Sequence, residues 1–162
     1  MKIVLKFGGT SLASPKDIRN VAKTIISFSK GNQIVVVCSA VDGVTDDLIT
    51  ISRLIEQRRK NNIVANLNGV IIKHRKLANQ TIKNSVIKKQ LLEKLNTDVS
   101  ELQELVRGLT LLKEVSARSL DYLISFGERL SDDLVSYALQ DLKKKSTALN
   151  GKEVGIDRKS VV

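Results

Sequence analysis

The sequence predicts an α/β fold built on a parallel sheet. Three observations predict it: two β-branched, almost continuous apolar runs near the N-terminus, a helix-period segment between them, and a long helical stretch behind them. Strands covered on both faces lose the usual apolar–polar alternation, and KIVLKF (2–7) and QIVVVCSA (33–40) read that way. Between them Ile18, Val21, Ala22, Ile25 and Ile26 recur at spacings of three and four. Ser14-Pro15-Lys16-Asp17 starts that helix with a hydroxyl cap, a proline in the first turn and an acid at the third position, and Gly31-Asn32 ends it. Strand, helix and strand in this order predict a right-handed βαβ unit.

A second helix follows SAVDGVTDD, with Leu48, Ile51, Leu54 and Ile55 on one face and Asn61-Asn62 as its end. From about 66 to 143 the chain reads as largely helical. Leu67, Val70, Ile71, Leu77 and Ala78 form one stripe, Leu102, Leu105, Val106 and Leu109 another, and Leu130, Leu134, Val135, Ala138 and Leu142 a third. His74 falls on the first stripe and reads as a structural, hydrogen-bonded histidine with no catalytic role. STALNG (146–151) predicts a short further strand, and GKEVGIDRKSVV carries no closing element. There is no internal repeat and no low-complexity linker.

The 162 residues, 42% hydrophobic and 27% charged, suffice for one compact domain with a core or for part of a larger one. No apolar run reaches the ~18–20 residues of a spanning helix, and the N-terminus lacks the pattern of a secretory signal, so a cytoplasmic location is expected. Cys38 is the single cysteine; within IVVVCSA it reads as a small core residue. The net charge of +10 suits acidic partners in general, but the basic clusters RRK (58–60), KHRK (73–76) and KKK (143–145) have no aromatics between them. With three Phe, two Tyr and no Trp there are few stacking platforms for nucleic acid, and these lysines read as a solvated face.

Three stretches carry candidate chemistry. In LKFGGTSLASPKD (5–17), Gly8 and Gly9 lie where a strand hands over to a helix, the place where an open α/β sheet presents its ligand crevice. Without Cβ atoms the backbone there can turn tightly and bring N–H groups to a phosphate, the next helix N-terminus adds partial positive charge, and Lys6 supplies a compact cation. Alone, KxGG is equally an ordinary βα turn with a surface lysine, and it is not a Walker A loop, where the lysine follows the glycines. SAVDGVTDDL (39–48) repeats the theme, with hydroxyls at Ser39 and Thr45 and a turn glycine at Gly43; taken singly, Thr45 reads as a helix N-cap. In RSLDYLISFGERLSDDL (118–134) a helix is expected to break at Gly127 and another to begin with Glu128, while Arg118 and Asp121 read as a surface pair.

Together, and in this order, KFGGTS, SAVDGVTDDL and RSLDYLISFGERLS resemble the N-terminal signatures of the aspartate kinases of the amino-acid kinase family, along the whole chain. The resemblance implies the three-layer sandwich of the amino-acid kinase type, with 1–162 as the N-terminal portion of the kinase domain and the nucleotide-binding half and regulatory domains absent. It implies transfer of the γ-phosphoryl group of ATP, with Mg2+, to the side-chain carboxylate of L-aspartate. The product would be 4-phospho-L-aspartate, on the way to lysine, threonine and methionine. Carried over by position, Lys6 stabilises the transferring group, Gly8, Gly9, Thr10, Ser11 and Ser39 belong to the phosphate site, and Thr45 and Glu128 contact the amino-acid substrate. No metal ligand follows for this half. A homo-oligomer is implied, with a second chain or self-association completing the fold; no nucleic acid or membrane is implied, and the isolated chain is expected to be inactive. Three other readings stand beside this one: a non-catalytic binding or assembly protein that retains the half-site, another amino-acid kinase, and a basic nucleic-acid binder motivated by the charge alone. ATP binding and salt-dependent DNA titration separate the first and last from a kinase.

Overall fold

In a computed structural model of the chain, residues 1–151, 153 and 155 are described. Strand β1 (Lys2–Phe7) leads through a short 3-10 turn (Gly9–Leu12) into α1 (Pro15–Phe28) and back to β2 (Gln33–Cys38). Helices α2 (Val44–Glu56), α3 (Lys60–Thr81), α4 (Ser85–Leu112) and α5 (Ala117–Asp141) follow. The strands pair in parallel from Lys2 opposite Gln33 to Phe7 opposite Cys38, so both strand ends and both following turns point the same way. That is the βαβ unit the sequence predicts.

The caps follow local chemistry. Ser14 precedes α1, accepts a hydrogen bond from the Asp17 N–H at 3.2 Å, and is followed by Pro15 at the first turn. Asn84 and Ser116 cap α4 and α5 in the same manner. All three predicted stripes are buried apart from the half-buried Leu105 and Leu142, and join one core with Leu12, Phe126 and the inner side of α1.

Five expectations change. The sheet is covered on one face only: Ile3, Leu5, Phe7, Ile34 and Val36 turn toward the helices, while Val4, Val35 and Val37 are 67%, 56% and 48% exposed. Burial alternates along strands whose composition does not. Asn61 and Asn62 do not end the second helix; it ends at Glu56, and the two asparagines lie in the first turns of α3. Residues 146–150 are not a strand. Their polar groups go to α5 instead, with Ser146 Oγ donating to the Ser136 carbonyl at 2.8 Å and Gln140 Nε2 donating to the Ser146 carbonyl at 3.2 Å. Most of the segment beyond Gly151 lies outside the described residues. His74 is buried as expected, but only half satisfied: Nδ1–H donates to the Val70 carbonyl at 2.8 Å, Nε2 has no partner, and burial holds the ring below its ordinary pKa.

The fifth correction concerns Gly127, where α5 does not break. The helix runs unbroken from Ala117 to Asp141 with Gly127 buried inside it. A Cβ at 127 would lie 2.8 Å from Ala40 Cβ, 3.3 Å from Val44 Cγ1 and 3.4 Å from Leu48 Cδ1, so the glycine admits the α2 end against the helix backbone. Gly127→Ala should therefore destabilise, because about 1–3 kcal/mol of overpacking exceeds the ~1 kcal/mol of helix propensity gained. Gly69→Ala, on an open face of α3 with nothing within 4 Å, isolates the propensity term and should stabilise. Urea denaturation of both variants checks the sign.

Candidate active site

The three motif segments converge on one residue. Gly8 is extended (φ −80°, ψ 168°), and the chain then turns through Gly9–Leu12, with the Ser11 N–H donating to the Gly8 carbonyl at 3.0 Å. A Cβ on Gly9 would lie 2.7 Å from the Ala40 carbonyl oxygen and 3.3 Å from the Asp42 nitrogen. Only glycine lets the turn after β1 lie on the loop after β2. On the other side of Ala40 lies Gly127. Ser39 N–H donates to the Phe7 carbonyl at 2.9 Å, extending the sheet ladder by one rung, and the Ser39 carbonyl accepts from Ser131 Oγ at 2.7 Å. The turn after β1, the loop after β2 and the middle of α5 are thus one packed unit at the C-terminal ends of the strands, where ligands bind in open α/β sheets.

Lys6 lies on the exposed face of β1, with its ammonium 4.0 Å from where a Gly8 Cβ would be, so it lies back over the glycine turn. Thr10 is exposed and Ser11 and Ser39 are half-buried. Thr45 is not the N-cap of α2. Gly43 is, in the left-handed conformation (φ 76°) that favours glycine, and Thr45 stands two residues into the helix with an exposed side chain. Glu128 is exposed on α5, one residue after the Gly127 contact. Gly9, Ser39 and Gly127 therefore meet at this junction, and Lys6, Thr45 and Glu128 are chain neighbours of residues in it. Among the described residues, no group of three or more His, Cys, Asp or Glu side chains could hold a metal ion.

Three residues of this region were not picked out from the sequence. Ser131 ties α5 to the end of β2 and shares its hydrogen with the Glu128 carbonyl at 2.9 Å; its spacing of four from Gly127 puts it on the same helix face, a signal the motif contained. Asp132 lies against Cys38, and burial with the nearby Glu128 charge pushes its carboxyl up to about 6. Lys73 of α3 donates to the Asp42 carbonyl at 2.9 Å and lies 3.9 Å from Asp47, pinning the loop after β2 from outside. Nothing in the sequence links Lys73 to that loop.

A family model described as the amino acid kinase family matches residues 1–161. The chain belongs to the amino acid kinase family. Among curated relatives of the family it is 31% identical to aspartokinase 1, chloroplastic, of Arabidopsis thaliana, over 94% of this chain and 26% of that protein. It is 30% identical to the aspartokinase of Candida albicans, over 94% of this chain and 28% of that one. The chain thus spans about a quarter of the length of these relatives. Among solved structures, E. coli aspartokinase III in complex with lysine and aspartate superposes with a TM-score of 0.74 at 22% identity, over 88% of this chain and 29% of that one. The same enzyme with aspartate and ADP superposes equally well. The fold is therefore the predicted amino-acid kinase α/β architecture in its N-terminal part. Among the described residues, no helix is long and apolar enough to cross a membrane.

Cys38 offers a check on this packing. It is 7% exposed, and burial, together with the Asp132 charge, pushes its thiol up to about 12. A thiol-reactive disulfide reagent at pH 8 should leave the native chain unmodified and react at the full single equivalent once the chain is unfolded, because the thiolate is the reactive form. Rapid reaction of the native chain would mean that the end of β2 is open.

Proposed function

We propose that the chain is the N-terminal part, residues 1–162, of an aspartate kinase domain, and that its surface at the strand ends is the phosphate and amino-acid wall of that active site. The observation that carries this reading is the convergence of the three motif segments on Ala40 at the C-terminal ends of two parallel strands. The reaction is transfer of the γ-phosphoryl group of ATP to the side-chain carboxylate of L-aspartate, giving 4-phospho-L-aspartate for lysine, threonine and methionine synthesis. Cytoplasmic location and assembly into a homo-oligomer belong to the same reading.

The residues present fit a phosphate chain. At the end of β1, phosphate would meet the backbone N–H groups of the glycine turn, the hydroxyls of Thr10, Ser11 and Ser39, and the Lys6 ammonium, which lies beside Gly8. Bound ATP with Mg2+ supplies the phosphoryl group and the cation that neutralises its oxygens; this chain would hold phosphate through Lys6, Gly8, Gly9, Thr10, Ser11 and Ser39 and contribute no cluster of metal ligands among its described residues. Lys6 is the catalytic residue, a fixed cation opposite charge that grows during transfer. Thr45 and Glu128 hold the amino acid. Glu128 takes the ammonium group, so the substrate's carboxylate end points back toward the positive loop. The exposed face of the sheet, with Val4, Val35 and Val37, supports a further layer of polypeptide there, as the three-layer sandwich requires.

The test is the acyl phosphate. ATP, magnesium, L-aspartate and hydroxylamine should yield no hydroxamate above background with the 162-residue chain alone. In a polypeptide carrying this chain as the first part of a whole kinase domain, Lys6→Ala should lower turnover by roughly 100-fold or more. Glu128→Gln should chiefly raise the aspartate KM and leave the ATP KM near its original value. Unchanged turnover in Lys6→Ala overturns the catalytic assignment, and Lys6-dependent hydroxamate from the chain alone overturns the partial-domain reading.

A further inference from the structure

Helix α2 begins without the device that starts α1, α4 and α5. Ser14, Asn84 and Ser116 cap those helices through their side chains, but the residue before α2 is Gly43, which has none. Gly43 is left-handed (φ 76°, ψ −10°), and the Val44 N–H donates to the Val41 carbonyl at 2.9 Å. Asp42 is not among the residues with positive φ, so 41–44 is a type II turn with Gly43 at its third position. Glycine makes that turn accessible and, for the same reason, makes it loose, because glycine gains the most conformational freedom when a turn opens.

What holds the turn comes from α3. Lys73 Nζ donates to the Asp42 carbonyl at 2.9 Å, lies 3.9 Å from Asp47 Oδ2, and is 3.6 Å from where a Gly43 Cβ would be. One ammonium therefore reaches a residue before Thr45 and a residue after it. Its base is rigid, since Val70, Ile71, His74 and Leu77 on the same stretch of α3 are buried. The two contacts are unequal. The Asp47 pair is long and exposed on both sides and contributes little, whereas the bond to the carbonyl is charge-assisted and short. A cation beside a helix N-terminus also works against the helix dipole, so dipole compensation does not account for the contact.

Type II and type I turns differ by a half-rotation of their central peptide, here Asp42–Gly43. That rotation carries the Asp42 carbonyl to the opposite face of the turn, away from Lys73. The lysine thus selects one of the two forms, immediately before the helix that carries Thr45.

We propose that Lys73 is a positioning residue for the candidate site: it clamps the Asp42–Gly43 peptide in the type II form and thereby fixes the start of α2, which presents Thr45. Its functional meaning rests on the reading of Thr45 as a residue that contacts the amino acid. Without the clamp the turn samples both peptide orientations, and the first bond of α2, from the Asp47 N–H to the Gly43 carbonyl at 3.0 Å, opens more often. Thr45 lies within the segment that this bond closes. Gly9 and Gly127 hold the same loop from within, through Ala40, Asp42 and Val44, so loss of Lys73 loosens the outer end and leaves the junction closed.

The experiment is NMR of the 162-residue chain, comparing wild type with Lys73→Met and Lys73→Arg. Methionine keeps most of the side-chain length and removes the donor; arginine keeps a donor and the charge. In Lys73→Met the Val44 and Asp47 amides should exchange with solvent roughly 3- to 10-fold faster, as loss of one hydrogen bond predicts, and the Asp42 carbonyl carbon should shift. Amides of Leu102 and Leu130, in the buried faces of α4 and α5, should keep their wild-type exchange, and Lys73→Arg should restore Val44, Asp47 and Asp42 most of the way. Unchanged exchange at Val44 and Asp47 in Lys73→Met overturns the clamp, as does an arginine variant that behaves like the methionine one. Equal acceleration at Leu102 and Leu130 makes Lys73 a contributor to global stability alone and overturns the positioning role. Titration with L-aspartate is a separate arm. A Thr45 amide that responds alike in wild type and Lys73→Met overturns positioning; one that does not respond in the wild type, with the exchange pattern as expected, upholds the clamp and overturns the amino-acid reading instead.

Discussion

Close approach at Ala40 is the constraint on which the arrangement depends. Gly9 meets its carbonyl and Gly127 its methyl, at distances that no other residue at either position would allow. Because neither glycine carries a side chain, three stretches separated by some thirty and then some ninety residues come into close contact, the first two backbone to backbone and the third against the Ala40 methyl. Hydrogen bonds then fix the register: Ser39 N–H to the Phe7 carbonyl from one side, Ser131 Oγ to the Ser39 carbonyl from the other. The candidate site is the surface this junction leaves open, so its geometry is inherited from packing and not from long, adjustable side chains.

Charge is divided across α5 in the same spirit. One side of the helix carries Glu128, exposed and next to the Gly127 contact, and Asp132 against Cys38 at the end of β2. The other side carries Arg129 and Asp133, matched against Lys94, Asp98 and Glu101 of α4. An overall charge of +10 says nothing about this division. What matters for a zwitterionic ligand is a fixed negative group within reach of a fixed positive loop, and that depends on which helix face each residue occupies.

Much of this was legible in the sequence, for identifiable reasons. The strands, α1 and its Ser14 cap were readable because apolar runs, three-and-four periodicity and capping chemistry are local. The motif residues were readable because their order along the chain matches a family pattern. Gly127 was misread because a glycine's effect on helix propensity is local, whereas its packing partner Ala40 is distant in sequence; the propensity cost is small enough for one close contact to offset it. Asn61-Asn62 look like a helix end by composition but fall in the first turns of α3, and the β-like STALNG has its hydrogen bonds taken by α5. The continuous apolar runs of β1 and β2 correctly signalled a parallel pair and overstated its burial, since composition records what a strand can pack against and not what this stretch of chain supplies.

The uncovered face of the sheet also bears on synthesis. The strands within residues 2–38 are made before the helices that shield one side of Val36 and Leu5, which follow within the next hundred or so residues, while Val4, Val35 and Val37 still face water. A nascent chain in that state presents a β-branched surface with two unpaired strand edges, the kind of template on which neighbouring chains on a polysome can register. Lys2 and Lys6 lie on that same face, and their like charges repel an identical partner laid against it. The lysine assigned to phosphoryl transfer would thus have an earlier task, keeping half-made copies apart until the face is covered.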